Sequence, residues 1–332
     1  LTDALHLSWS HGTADVLSTA AMLRSVRFTL PTGAFAPFAE PTWRPDDAGA
    51  ASLSGHMRCL GADFVCLPFG GGGTFSRSAP GWEDMVYQPA DPLFHGRSAD
   101  ADWTVANAEP DAVTLTLDEP EPSPIARLER RIAAIPGEPA LRFRLTIHAR
   151  RACRLPIGLH PILRLPARPG DLEISLPFRF GVTFPADADG MGLLAEGVFF
   201  DDLRQVPAHD GGLIDLSRLP FAQPAELVVQ LHDASGPLRA IFHDAKAGLL
   251  IDWPRDLLPS LQIWLSDRAL TGEPWRGAYR GVGLEPTASL FDLGIGPSTE
   301  ENPVSVRGVA TAIAIEPGMP LVIDYRVTAF PL

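Results

Sequence analysis

Thirty glycines and 33 prolines punctuate this chain of 332 residues, close to one position in five. Proline removes a backbone donor and breaks helix interiors, and glycine weakens both regular structures while easing turns. Punctuation at this density suits many short strands joined by turns and suits long helices poorly. The hydrophobic pattern agrees. In Leu141-Arg142-Phe143-Arg144-Leu145-Thr146-Ile147-His148 the apolar side chains alternate with Arg, Arg, Thr and His, which predicts a strand buried on one face. Residues 113–117, 227–231, 238–242, 249–253, 261–265, 309–315 and 321–327 read the same way.

Asp233-Ala234-Ser235-Gly236-Pro237 predicts a hairpin, and Ala245-Lys246-Ala247-Gly248 the next connection, so residues 227–265 read as an antiparallel meander. Only 14–22 and a single turn over 213–219 read as helical, the former running into strand-like 26–30. No 20–50-residue repeat occurs, no Ser/Gly or charged linker divides the chain, and the loop-like stretches 31–51 and 166–171 are short. The expected architecture is mainly β: one domain over 1–332, a large antiparallel β-sandwich of two packed sheets.

A net charge of −13 opposes counterion-releasing contact with nucleic acid and attraction to anionic membranes; a neutral or cationic small ligand fits better. No apolar run approaches the ~18 residues of a membrane span. Cys59, Cys66 and Cys153 form neither a disulfide framework nor a zinc pattern. With no signal-like pattern in the first ten residues, the expected location is the cytoplasm.

The run Gly70–Gly73 lacks the Gly-Lys-Ser/Thr of a phosphate loop and reads as a flexible loop. The His-Asp pairs at 232–233 and 243–244 read as turn residues rather than metal ligands, and no metal is expected; His6, His11, His56 and His209 show no partners. Neither a Gly-x-Ser-x-Gly elbow nor a His-Glu-x-x-His motif is present. Three segments each place an ionisable residue at a Gly- or Pro-marked strand end: Pro92-Leu93-Phe94-His95-Gly96 with Trp103 downstream, Leu155-Pro156-Ile157-Gly158-Leu159-His160-Pro161, and Gln262-Ile263-Trp264 followed by Leu284-Glu285-Pro286.

In that order these motifs resemble the aldose 1-epimerase (galactose mutarotase) family, from about Gly70 to the C-terminus, where Ile315-Glu316-Pro317-Gly318-Met319-Pro320 and a last strand resemble the family's closing segment; the first 60 residues match poorly. The resemblance implies a galactose mutarotase-like supersandwich that interconverts the α and β anomers of a free sugar by general acid/base ring opening, without cofactor. It implies Glu285 as base, His160 as acid, His95 as a group polarising the sugar oxygen, and Gln262 as a ligand of sugar hydroxyls. A carboxylate with an ordinary pKa near ~4.3 is ionised at neutral pH, and an imidazole near ~6.5 can hold a proton to give. Trp264 or Trp103 would wall one pyranose face, and Arg97 is the nearest basic candidate for substrate contact.

The family's Asn-Arg pair is replaced by Leu67-Pro68-Phe69-Gly70, its sugar-binding Asp has no match, and Glu226 near that place is not assigned. Hexose-6-phosphate epimerases carry an arginine four residues after the first His, where this chain has Ala99, so a phosphosugar is the less expected substrate. The alternatives are a non-catalytic sugar-binding protein on the same scaffold and a sandwich module of a polysaccharide-processing assembly. No oligomeric state follows from the sequence.

Overall fold

The computed structural model describes residues 4–332 except 54, 72, 74, 76, 88–90, 92 and 188–192. Two large antiparallel sheets dominate. The nine-stranded sheet runs in the order Arg218–Leu219, Leu172–Ser175, Leu238–Phe242, Ala247–Asp252, Leu321–Pro331, Ala140–Ala149, Ile125–Ala134, Ala112–Asp118, Thr104–Glu109. The eight-stranded sheet runs Phe199–Phe200, Phe180–Thr183, Ala225–His232, Ser260–Asp267, Arg280–Ala288, Ile157–Leu159, Val65–Cys66, with Ile162–Arg164 also paired to Arg280–Ala288. A four-stranded sheet spans Leu5–Trp9 to Gly33–Phe35. The described helices, such as Gly55–Cys59 and Gly96–Asp100, are single turns.

The two sheets differ in what they do with their faces. Ala140–Ala149 alternates buried and exposed side chains, as its sequence predicts. Ala225–His232, Ser260–Asp267 and Arg280–Ala288 are buried almost throughout. One face carries Leu227, Val229, Leu231, Leu261, Ile263, Leu265, Val282 and Leu284 into a core shared with Leu141, Phe143, Leu145 and Ile147. Because side chains alternate across a strand, the other face carries Glu226, Val228, Gln262, Trp264 and Glu285. The register sets Gln262 opposite Glu285, and Trp264 between Val228 and Gly283.

The expected meander is replaced by a change of sheet. Ala225–His232 pairs directly with Ser260–Asp267, while Leu238–Phe242 and Ala247–Asp252 form a hairpin inside the other sheet. Residues 233–237 therefore bridge the sheets. Asp233 turns with φ 58°, and the N–H groups of Ala234 and Ser235 donate to Pro259 and Pro177 rather than across a hairpin. Residues 14–22 are likewise no helix: the strand Gly12–Val16 ends in a turn with Ala20 and Ala21 at positive φ. Two short strands, Leu213–Ile214 and Arg218–Leu219, replace the helical turn over 213–219, and only Ile313–Ile315 of 309–315 is strand.

A buried ion pair ties the layers together. Arg130 and Tyr325 rise from the nine-stranded sheet to meet Asp63, and all three are buried. The Arg130 guanidinium pairs with the Asp63 carboxylate, donates to the Tyr325 hydroxyl (2.9 Å) and donates to the Ala21 carbonyl (2.9 Å) of the N-terminal layer. The Asp63 carbonyl accepts from Leu23 N–H, so residue 63 is fixed from both sides. Removing one member leaves an uncompensated buried charge. Arg130→Met is expected to cost roughly 3–5 kcal/mol in urea unfolding. Arg130→Met combined with Asp63→Leu should recover much of that loss.

Candidate active site

His95 sits at a backbone reversal. It adopts φ 66°, Gly96 follows at φ 74°, and a β-carbon on Gly96 would lie 2.2 Å from the Leu67 carbonyl oxygen. Only glycine fits that position, which is the physical content of the His-Gly dipeptide. The turn is locked to Gly70: His95 N–H donates to the Gly70 carbonyl, and Gly70 N–H donates to His95 Nδ1, both at 3.0 Å. Since Nδ1 accepts, the proton of the neutral ring is on Nε2. Gly70 and Gly71 are therefore buried and pinned where a flexible loop was expected; Gly71 N–H also donates to the Asp292 carbonyl at 3.0 Å. Gly72, and Pro92 of the first motif, lie outside the described residues.

His160 lies between the strands Ile157–Leu159 and Ile162–Arg164, with its N–H donating to the Phe64 carbonyl. Its imidazole stacks on the Phe64 ring at 4.4 Å and 17°, and Phe64 stacks with His56 at 5.0 Å. His95 meets His160 edge-on at 5.2 Å. Gly158 is required by packing, because a β-carbon there would come 2.1 Å from the Phe69 ring.

Glu285 completes the group. His160 Nε2 lies 3.4 Å from Glu285 Oε1, and Gln262 Nε2 donates to Glu285 Oε2 at 3.1 Å. Gly283 makes space for this carboxyl: its β-carbon would sit 2.1 Å from Oε1. Nearby, Trp264 Nε1 donates to Glu226 Oε1 at 2.6 Å. His95, His160, Gln262, Trp264 and Glu285 all line one cavity of about 250 Å³, together with His56, Glu226, Asp292 and apolar walls that include Phe75, Phe94 and Leu270. This volume is below the ~300–1,000 Å³ of drug-sized ligand sites and suits one small molecule.

Two sequence-derived contacts are corrected. Trp103 is buried in the core, where its indole donates to the Ser98 carbonyl at 3.0 Å, and it does not line the cavity. Arg97 also lies off the cavity, reaching the Asp118 carbonyl at 3.3 Å. Among the described lining residues there is no Lys or Arg, which leaves a sugar phosphate without a counter-charge. Sequence reasoning missed His56 and Asp292, and left Glu226 unassigned. The signal for Glu226 was its place on the same strand face as Gln262, which only the register makes visible. Asp292 follows Phe291, held at φ 47° by its N–H on Gln230 Oε1, and no sequence pattern marked it. Among the described residues no group of three or more His, Cys, Asp or Glu side chains is arranged to hold a metal ion, and no helix is long and apolar enough to cross a membrane.

The fold has counterparts among solved structures. A putative aldose 1-epimerase from Escherichia coli K12 superposes with a TM-score of 0.66 over 99% of both chains at 16% identity. An aldose epimerase homologue from C. elegans gives 0.66 over 100% of both at 13% identity. A putative mutarotase from Salmonella typhimurium gives 0.59 over 100% of this chain and 92% of that one at 12% identity. This chain has the galactose mutarotase-like fold. No protein-family model and no curated protein matches its sequence.

Burial reverses the protonation expected from ordinary pKa values. Desolvation, helped by the neighbouring His56, pushes His160 down to about 3. Burial likewise lowers His56 to about 4 and holds His95 well below the usual histidine range. Glu285 is raised well above the usual carboxyl range by burial and by the charge of Asp292, against the hydrogen bond from Gln262. At neutral pH the three imidazoles are uncharged, and burial favours the carboxyl over the imidazole as the holder of any proton the Glu285–His160 pair carries. A carboxyl raised on folding contributes stability fully below the ordinary glutamate range, and that contribution is lost as pH rises through the raised value. Glu285→Gln should therefore raise the urea midpoint more at pH 8 than at pH 4. Asp292→Asn should do the same to a smaller extent, by letting the Glu285 pKa fall.

Proposed function

We infer that this protein interconverts the α and β anomers of a free aldose by acid/base ring opening at the Glu285–His160 pair. The observation that carries the reading is the approach of these two groups to 3.4 Å in one cavity. The reaction concerns two oxygens on one carbon. The anomeric hydroxyl must lose a proton while the ring oxygen gains one. The C1–C2 bond then rotates and the ring closes on the other face with both transfers reversed. A catalyst for both directions needs a donor and an acceptor that can exchange roles.

A pair holding a single proton meets that need. The carboxylate that takes the hydroxyl proton during opening returns it during closure, and the imidazole acts in the opposite sense. Burial favours Glu285 as the holder of the pair's proton; its transfer to His160 generates the carboxylate–imidazolium form, and hydrogen bonds from sugar hydroxyls to the carboxylate favour that transfer. His95, with its proton on Nε2, is suited to donate a hydrogen bond to the oxygen that gains charge. Gln262 holds the Glu285 carboxyl in place (3.1 Å), and Trp264, fixed by its bond to Glu226, offers an apolar surface.

The test is anomer exchange followed by saturation-transfer NMR on a panel of freshly dissolved neutral aldoses. Acceleration by the wild type is expected for at least one sugar. Glu285→Gln and His160→Asn should each lower it by roughly 10²-fold or more, the scale of a lost acid/base group. Arg97→Ala should leave it nearly unchanged. Saturable binding without exchange for any sugar would replace this reading with that of a sugar-binding protein.

A further inference from the structure

We propose that the cavity takes a 6-deoxyhexose in preference to the parent hexose, with the C6 methyl group on an apolar floor formed by Val228 and Phe184. The proposal rests on the sugar reading above and adds the substrate class. Its first support is where apolar surface is left uncovered. The strands Ala225–His232 and Ser260–Asp267 are buried throughout except for one residue each, Val228 and Trp264. The register sets these two directly opposite each other, and both line the cavity. An apolar side chain left open in the middle of a sheet gains when a ligand's apolar group removes that surface from water. Phe184, which directly follows the strand Phe180–Thr183, extends the row by one position: its N–H donates to the Val228 carbonyl at 3.1 Å. Phe75 packs on Phe184 with ring centroids 5.3 Å apart, and both rings line the cavity.

The second support is the direction of the floor. Counted from the strand of Glu285, Val228 lies two strands away and Phe184 three, about 10 and about 14 Å at the usual strand spacing. Trp264 lies one strand away, between the acid/base pair and Val228, and takes the C–H face of the ring. With C1 at the Glu285–His160 pair, C6 is the one carbon of a hexopyranose that stands outside the ring and can reach along this row. Among the described residues of the row, only the Trp264 indole carries a polar atom, and it is committed to Glu226 at 2.6 Å. The polar neighbours of Val228 on its own strand face are engaged within the protein. Glu226 accepts that indole N–H, while Gln230 donates to the Ser289 hydroxyl at 3.3 Å and accepts from Phe291 N–H at 3.1 Å. A C6 hydroxyl laid on Val228 and Phe184 gives up water without an equal partner, whereas a methyl group has no such bond to lose.

The experiment is calorimetric binding to the full chain, with anomer exchange followed in parallel by saturation-transfer NMR. Each series of probes keeps the ring configuration and changes only the group on C5, which is methyl, hydroxymethyl or hydrogen in turn. The series are D-fucose, D-galactose and L-arabinose; L-fucose, L-galactose and D-arabinose; L-rhamnose, L-mannose and L-lyxose; and D-quinovose, D-glucose and D-xylose. In at least one series the methyl sugar is expected to bind roughly tenfold more tightly than the other two, the scale of a methyl group gained or a hydroxyl left unpartnered in an apolar pocket. Val228→Thr puts a hydroxyl into the floor at nearly constant shape, and Val228→Ala withdraws two methyl groups. Each should cut that ratio to roughly a third or less. The ratio is taken within one protein sample, so a lower folded fraction of either variant cancels. Binding of the hexose or the pentose as tight as the methyl sugar in every series, no binding of any methyl sugar, or a ratio untouched by both variants would overturn the proposal. Exchange accelerated equally for methyl and hydroxymethyl sugars would sink this inference alone; a methyl preference in binding without exchange of any sugar would sink the catalytic reading alone.

Discussion

The eight-stranded sheet is buried on both faces, and the site follows from that constraint. An antiparallel sheet ordinarily leaves one face to water. Here the strands Ala225–His232, Ser260–Asp267 and Arg280–Ala288 press an apolar face onto the other sheet and turn a mixed face inward under covering loops. Period-two alternation on such strands creates a row of buried polar side chains, among them Gln230, Gln262, Glu285 and Thr287. Some are satisfied locally: Gln230 binds Ser289 and the Phe291 N–H, and Thr287 binds the Ile157 carbonyl. Glu285 and Gln262 are satisfied only in part, and their remaining atoms face a cavity. The same geometry that stabilises the sandwich thus leaves a few buried polar atoms without protein partners at one place, where a ligand's polar groups can reach them.

The opposite wall is rigid for a separate reason. Asp63 is held by Arg130 and Tyr325 from the nine-stranded sheet and by Leu23 from the N-terminal layer. The next residue is Phe64, whose ring stacks with both His160 and His56 and whose carbonyl accepts from His160 N–H. A buried ion pair is weak evidence for net stability. Its value here is positional. It fixes the aromatic plate against which the imidazole lies, so the 3.4 Å approach to Glu285 is defined from both sides.

Strand periodicity was legible in the sequence because alternation is a local property, whereas His95, His160 and Glu285 were singled out only by the order of their motifs, which resembles the aldose 1-epimerase family. Sheet partnership was not. The residues 227–265 alternate equally well as a meander or as two strands in each of two sheets, and the choice is made by long-range bonds from Ala234 and Ser235 to Pro259 and Pro177. Tryptophan identity was likewise ambiguous. Trp103 and Trp264 both offer a large apolar ring with one donor. Only tertiary packing decides that one donates to the Ser98 carbonyl in the core and the other to Glu226 at the cavity. His56 and Asp292 stand alone in sequence and acquire meaning only beside Phe64 and Glu285.

The charge state of the site was the least legible feature, and the most consequential. Reference pKa values describe groups in water, and give an ionised glutamate beside a half-charged histidine. In a buried cavity the charged form of each is penalised, so a proton held by the pair favours the carboxyl over the imidazole. That state is cheap to hold and a short proton transfer from the separated-charge state. Burial therefore favours the neutral form of both Glu285 and His160. The protonation of the cavity is thus set by burial and by the neighbouring Asp292 charge, two features of tertiary packing that no single segment of the sequence carries.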